Sequence, residues 1–125
     1  MPRIEVVDAE GIDDDAKRDS VFERLFSSGP TVGGILVPNA SGHLVAEWLE
    51  GRSLKKGCAL LAWDLVPANE ACLRSGSIDC IISQKPFEQG RLGLSLILRK
   101  VVGGTPTPGR FDLPIEIWFK ENLPA

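Results

Sequence analysis

The length and composition of the chain correspond to one ordinary globular domain. It has 125 residues, of which 43% are hydrophobic and 25% are charged, and these proportions are typical of a soluble domain. The formal net charge of -3 argues against direct nucleic-acid binding, because affinity for a duplex comes largely from Lys and Arg side chains that neutralise phosphates.

The sequence shows no export signal and no membrane-spanning segment. Its first residues are rich in Asp and Glu, whereas a secretory signal needs a basic start followed by an apolar run. The longest apolar stretch, residues 92–98, is interrupted by Gly93 and Ser95 and is far shorter than the ~20 residues of a membrane helix. We therefore expect a soluble protein in the cytoplasm.

The cysteines and the single histidine predict neither a metal site nor an active site. Cys58, Cys72 and Cys80 form no Cys-x-x-Cys pair, and only His43 is available to complete a metal-binding set. We expect all three cysteines to be free core residues. One histidine also gives no Ser-His-Asp arrangement, so the sequence predicts a protein that is not an enzyme and needs no cofactor.

Short apolar runs alternate with helical patterns along the chain. Apolar residues recur at helical spacing in residues 13–27 and 41–51, and residues 86–102 form a helix that is apolar nearly all round. Alternation of this kind predicts an α/β fold, a three-layer open parallel sheet of about five strands flanked by helices. The predicted strands are residues 3–7, 34–37, 59–62, 78–82 and 114–119.

Three polar residues follow predicted strands of this sheet. Asn39, Asp64 and Gln84 come after the second, third and fourth strands, and ligands of open parallel sheets bind beyond the carboxyl ends of the strands. One carboxylate and two amides can bind a polyol, a nucleoside or an amino acid by hydrogen bonds. A purely structural interpretation of each residue is also open, because all three can cap a turn or a helix.

The same segments resemble the C-terminal lobe of the lactose-repressor (LacI-type) regulators and of the periplasmic sugar-binding proteins. The resemblance extends from Ile4 to Leu123 and covers nearly the whole chain. No single piece is specific, but the pieces occur in the family's order and spacing. They are GILVPN at residues 34–39, LLAWD at 60–64, IDCIISQKP at 78–86 followed by Gly90, LPIEI at 113–117, and Asn122-Leu123.

The resemblance implies ligand-binding roles for Asn39, Asp64 and Gln84, with Gln84 at a crossing between two lobes. Asp13 and Trp63 are weaker ligand-binding candidates. Ala40 stands where the family usually has Asp, and residues 12–13 lack the aromatic that often stacks on a sugar ring in relatives. The ligand implied is a sugar or another small polar metabolite.

The resemblance also implies that residues 1–125 form a single domain, half of a periplasmic-binding-protein-like type I fold and a fragment of a two-lobe protein. The function implied is effector sensing in a LacI-type transcription regulator, which contacts DNA only through a separate helix-turn-helix domain that this chain lacks. Alternatives are part of a periplasmic solute-binding protein of a sugar transporter, a small α/β enzyme using Asp64 or Cys80, and a pure interaction module. In the family the helix at residues 86–102 packs on the other lobe, so its exposed apolar faces lead us to expect a homodimer.

Overall fold

A four-stranded mixed sheet forms the centre of the chain in the computed structural model, which describes residues 3–27 and 31–123. The order across the sheet follows the order along the chain. The first three strands are parallel, and the last is antiparallel to the third. The strands are β1 (Gly34–Val37), β2 (Ala59–Trp63), β3 (Cys80–Ser83) and β4 (Glu116–Trp118).

Within the described ranges, four α-helices and two short 3-10 helices accompany the strands. α3 begins at Pro67, whose fixed φ suits a first helical turn. It ends at Ser75, and Gly76 follows with a φ of 90°, a left-handed conformation that glycine adopts without steric cost. Within the described residues no helix has the length and apolar character to cross a membrane. The α-helices are α1 (Asp15–Ser27), α2 (Gly42–Gly51), α3 (Pro67–Ser75) and α4 (Pro86–Val101).

The core lies between β2, β3 and the helices α2 and α3. Val45 and Leu49 lie one turn apart on α2 and are fully buried, as the spacing of its apolar residues predicts. β2 is an inner strand of the sheet, and Leu60 and Ala62, two residues apart on it, are fully buried. The other members of the core are Ile12, Phe22, Val37, Ala46, Trp48, Cys58, Leu73, Ile78 and Ile81.

α1 joins the domain through an aromatic and charged contact with α2. The ring centroids of Phe22 and Trp48 are 5.2 Å apart, within the range of favourable aromatic pairs. Asp19 accepts hydrogen bonds from the Trp48 indole at 2.8 Å and from the Arg52 guanidinium at 2.9 Å. Arg52 also lies over the Trp48 ring. The indole nitrogen, which would lack a partner in an apolar contact, is thereby satisfied.

The α/β class and the flanking helices are confirmed, and the described sheet has four strands where about five were predicted. Residues 3–7 form no strand, and Ile4 and Val6 are 92% and 95% exposed. A strand needs a hydrogen-bonded neighbour, and no described segment pairs with these residues. The last strand is shorter than predicted and antiparallel, because the chain leaves the sheet along α4 and returns in the opposite direction.

α4 differs from the other helices because none of its residues is buried. Its apolar residues nevertheless include Phe87, Leu94, Ile97 and Val101, which are 79%, 60%, 61% and 75% exposed. On one side, α4 and the returning chain at Phe111 form an open groove. The predicted exposure of apolar faces on this helix is therefore confirmed in the described residues.

The close packing of α2 against the sheet predicts that Gly42→Ala destabilises the fold. A Cβ at Gly42 would overlap the Cβ of Ala62, and overpacking of a tight contact costs about 1–3 kcal/mol. Gly51→Ala in the same helix is the matched control, because its Cβ would meet nothing within 4 Å and alanine is the better helix former by up to ~1 kcal/mol. Urea unfolding of both variants measures the difference; equal free energies of unfolding would contradict this contact.

Candidate functional site

The carboxyl ends of three neighbouring strands bring the predicted site residues to one edge of the sheet. Asp64 and Gln84 directly follow β2 and β3, and Asn39 comes two residues after β1. The registers align Val37 with Ala62 and Trp63 with Ile82, so the parallel strands end side by side. The arrangement has the position at which open α/β sheets bind ligands.

Asp64 and Gln84 are joined directly. The Gln84 backbone N–H donates to Asp64 Oδ1 at 3.4 Å, and the Asp64 backbone N–H donates to the Ile82 carbonyl at 2.8 Å. Asp64 has a φ of 63°, a left-handed conformation that costs most L-residues about 1–2 kcal/mol and that Asp tolerates better than most. The side chain is half-buried, so the edge holds a carboxylate in a fixed, partly shielded position.

Asn39 lies at the same edge but makes a local contact. Its Oδ1 accepts the backbone N–H of Ser41 at 2.9 Å, which is the turn-capping role that the structural interpretation of this residue allows. The side chain is exposed. Among the described residues no hydrogen bond joins it to Asp64 or Gln84, and its amide N–H groups are the donors that it can offer to a ligand.

The two weaker candidates, Trp63 and Asp13, differ in their relation to this arrangement. Trp63 ends β2 and is half-buried next to Asp64. Asp13 is exposed in the turn before α1, and within the described ranges it has no hydrogen bond or ion pair with Asn39, Asp64 or Gln84. The ligand-binding role of all five residues stays a prediction.

A buried amide behind the edge is a residue that the sequence analysis missed. Asn69 on α3 is fully buried, and its Nδ2 donates to the carbonyl oxygens of Trp63 and Asp64 at 3.1 and 3.0 Å. Its Oδ1 accepts the backbone N–H of His43 at 2.8 Å and lies 3.3 Å from the His43 ring Nδ1. The available signal was its spacing, because Asn69 lies four residues before the core residue Leu73 on one helical face.

Lys85 extends the edge toward β4. Its φ is 57°, and its Nζ lies 2.6 Å from a carboxylate oxygen of Glu116, the first residue of β4. Its backbone N–H donates to Ser83 Oγ at 3.3 Å. The chain that leaves the sheet toward α4 and the chain that returns to it are therefore tied together beside Gln84.

The cysteines are poorly suited to act as nucleophiles. Burial raises the pKa of the Cys58, Cys72 and Cys80 thiols, and nearby Asp79 and Glu47 raise it further at Cys80 and Cys72 respectively. Thiols with a raised pKa remain protonated at neutral pH, whereas the thiolate is the reactive form. No group of three or more His, Cys, Asp or Glu residues suited to a metal occurs in the part of the chain that the structure describes.

One protein family matches most of the chain. The family model described as the periplasmic binding protein domain matches residues 1–105. The chain belongs to the family of periplasmic binding protein domains. Among curated protein sequences none matches it.

Solved structures of binding proteins and of a regulator share the fold. A Bacteroides fragilis protein described as a LacI transcriptional regulator aligns with a TM-score of 0.77 at 23% identity, over 84% of this chain and 36% of its own. A solute-binding protein from Burkholderia graminis in complex with D-arabinose aligns at 0.74 and 29% identity, over 88% and 39%. One from Actinobacillus succinogenes with bound D-allose aligns at 0.76 and 17%, over 85% and 37%.

These relatives are much longer than the matched region. The chain spans 36%, 39% and 37% of their respective lengths. The relatives are binding proteins and a regulator, and none of the three is described as an enzyme.

The left-handed backbone of Asp64 predicts a difference between two truncations. Asp64→Gly and Asp64→Ala both lose the contact with the Gln84 N–H, but only glycine adopts a positive φ without steric cost. We expect Asp64→Gly to be the more stable variant by about 1 kcal/mol. Chemical denaturation of the pair measures this; an alanine variant as stable as the glycine variant would show that Asp64 has no left-handed backbone in solution.

Proposed function

We propose that the chain is the C-terminal lobe of a two-lobe binding domain for a sugar or a similar polar metabolite, and that this domain senses the effector of a LacI-type transcription regulator. The observation that carries the proposal is the set of Asn39, Asp64 and Gln84 at the carboxyl ends of three adjacent parallel strands. Family membership and the sugar-bound relatives support the ligand class.

The hydrogen-bonding groups of Asn39, Asp64 and Gln84 suit a polyol. The half-buried Asp64 carboxylate can accept two hydroxyl hydrogens, and the exposed amides of Asn39 and Gln84 can both donate and accept. In this proposal a second lobe covers the edge from the opposite side. A ligand that contacts both lobes stabilises their closed arrangement, and its differential affinity for that state shifts DNA binding by a separate helix-turn-helix domain.

The second candidate function is that of a solute-binding protein of a sugar transporter, and two of the solved relatives favour it. It uses the same site residues and the same ligand class. It differs in delivering the ligand to a transporter instead of altering DNA binding, and in its location outside the cytoplasm. The sequence encoded upstream distinguishes the two. A basic helix-turn-helix segment there supports a cytoplasmic regulator, and a signal peptide supports the exported protein and overturns the regulator.

Substitutions at the edge test the proposed site. We expect Asp64→Ala to weaken sugar binding most, because charge-assisted hydrogen bonds contribute roughly 1.5–3 kcal/mol and each neutral amide contact contributes about 1 kcal/mol. Asn39→Ala and Gln84→Ala should each weaken it less. Calorimetric titration with D-arabinose and D-allose measures the ranking on the protein that contains both lobes.

Two controls separate ligand contacts from folding. Asp64→Asn removes the charge and keeps an acceptor and a residue that tolerates positive φ, so it should fold normally and still bind weakly. Glu47→Ala removes an exposed carboxylate on the body of α2 and should bind like the unaltered protein. Equal binding by all three edge variants and the unaltered protein would exclude this site.

We also propose that the isolated chain forms a homodimer through α4, whose exposed apolar residues include Ile97 and Val101. Hiding half of such a helix face supplies several kcal/mol at ~25 cal/mol per Å². We expect light scattering at micromolar concentration to show a dimer. The double variant Ile97→Glu with Val101→Glu should be monomeric, and Lys100→Ala on the same helix should not. A monodisperse monomer for the unaltered chain would contradict the proposal.

A further inference from the structure

Asn69 is a buried polar side chain whose hydrogen-bonding groups are all used. The residue is fully buried, and a buried amide without partners costs several kcal/mol in an apolar environment. Its two N–H groups match two carbonyl oxygens, at 3.1 and 3.0 Å. Its oxygen accepts one backbone N–H at 2.8 Å. These three partners are backbone groups of Trp63 at the end of β2, of Asp64 directly after it, and of His43 in the first turn of α2. The His43 ring Nδ1 also lies 3.3 Å from the Asn69 oxygen.

The two carbonyl groups bracket Asp64. The Trp63 carbonyl belongs to the peptide before Asp64, and the Asp64 carbonyl belongs to the peptide after it. Fixing both peptides fixes the φ and ψ of the residue between them. Asp64 has a φ of 63°, which is unfavourable for most residues and persists where surrounding contacts enforce it. The amide of Asn69 supplies such contacts, and the direction of the Asp64 carboxylate follows from them.

The side-chain oxygen of Asn69 also fixes the backbone next to the Asn39 loop. It accepts the N–H of His43, in the first turn of α2, which begins three residues after Asn39. A Cβ added at Gly42 would lie 3.3 Å from this oxygen, so α2 approaches Asn69 closely. One side chain therefore links the loop that carries Asn39 with the loop that carries Asp64.

We infer that Asn69 is a positioning residue of the sugar site, holding the Asp64 backbone in its left-handed conformation and setting the distance between the Asn39 and Asp64 loops. Asn69 itself contacts no ligand, since it is fully buried behind the edge. The inference about binding rests on the proposed function, whereas the inference about the Asp64 backbone is independent of any ligand.

Asn69→Asp tests the role with little change in size. It keeps the oxygen that accepts the His43 N–H and replaces the NH2 group by an oxygen facing two carbonyls. Ser77→Ala is the matched control. Ser77 is buried and bonded to Glu50, but it lies before β3, at the opposite end of that strand from Gln84. Both variants lose buried hydrogen bonds, and only the first touches the site.

The first readout needs no ligand. In NMR spectra of the 125-residue chain, a strong intraresidue HN–Hα NOE and the one-bond Cα–Hα coupling report the positive φ of Asp64. We expect both signatures to be lost in Asn69→Asp, with a shift of the Gln84 amide resonance, and to be kept in Ser77→Ala. Retention of the positive φ in a folded Asn69→Asp variant would overturn the inference.

The second readout is titration with D-arabinose and D-allose of the protein that contains both lobes. We expect Asn69→Asp to bind about tenfold more weakly, because a tenfold change in affinity corresponds to the free energy of roughly one hydrogen bond. We expect Ser77→Ala to bind as the unaltered protein does. Equal binding by Asn69→Asp overturns the positioning role and leaves the proposed function intact. If the unaltered protein binds no sugar, the proposed function fails, and the NMR readout still decides the backbone role.

A measurement on the unaltered chain covers the case in which Asn69→Asp does not fold. The side-chain NH2 group of Asn69 should exchange with solvent far more slowly than that of the exposed Asn39, because both of its hydrogens are bonded inside the fold. Equally fast exchange of the two amides would overturn the inference, and slow exchange confined to Asn69 supports it.

Discussion

The close contact between the first turn of α2 and strand β2 is the constraint on which the candidate site depends. Gly42 has no side chain to separate the helix from Ala62, and the neighbouring backbone N–H of His43 bonds to Asn69. Because protein interiors are close-packed, the distance between the helix and the strand cannot change here without displacing neighbouring atoms. Because α2 starts directly after the Asn39 turn and Asn69 also holds the Asp64 loop, the position of the helix and the shape of the edge are set together.

Much of the fold was predictable because the signals are local. Apolar runs of strand length and helical spacing placed β1 to β3, α1, α2 and α4 within a few residues of their observed bounds. The order of these elements then implied parallel strands, and parallel strands bring residues such as Asp64 and Gln84 to one edge. The hydrogen bond between them depends on that topology and on the left-handed backbone of Asp64.

The features that the sequence predicted wrongly or did not reveal depend on distant contacts. Residues 3–7 alternate like a strand, yet a strand exists only where a neighbour pairs with it. α3 is short and carries few apolar residues, so its pattern gave no helical signal, although Leu73 and Asn69 are both buried. Asn69 itself is an ordinary polar residue in the sequence, and its importance comes from three backbone partners located five to 26 positions away.

The site and the exposed helix are linked by a single short segment. Gln84 is separated from Pro86, the first residue of α4, only by Lys85, and Lys85 is tied to Glu116 where the chain returns. A second lobe that packs on the apolar face of α4 is therefore held close to the strand ends that carry Asp64. In the proposed two-lobe protein, apolar burial on α4 keeps the lobes together while the sugar between them stabilises closure. In that protein the ligand alters the packing of the lobes on α4 to the extent that it binds their closed arrangement more tightly than the open one.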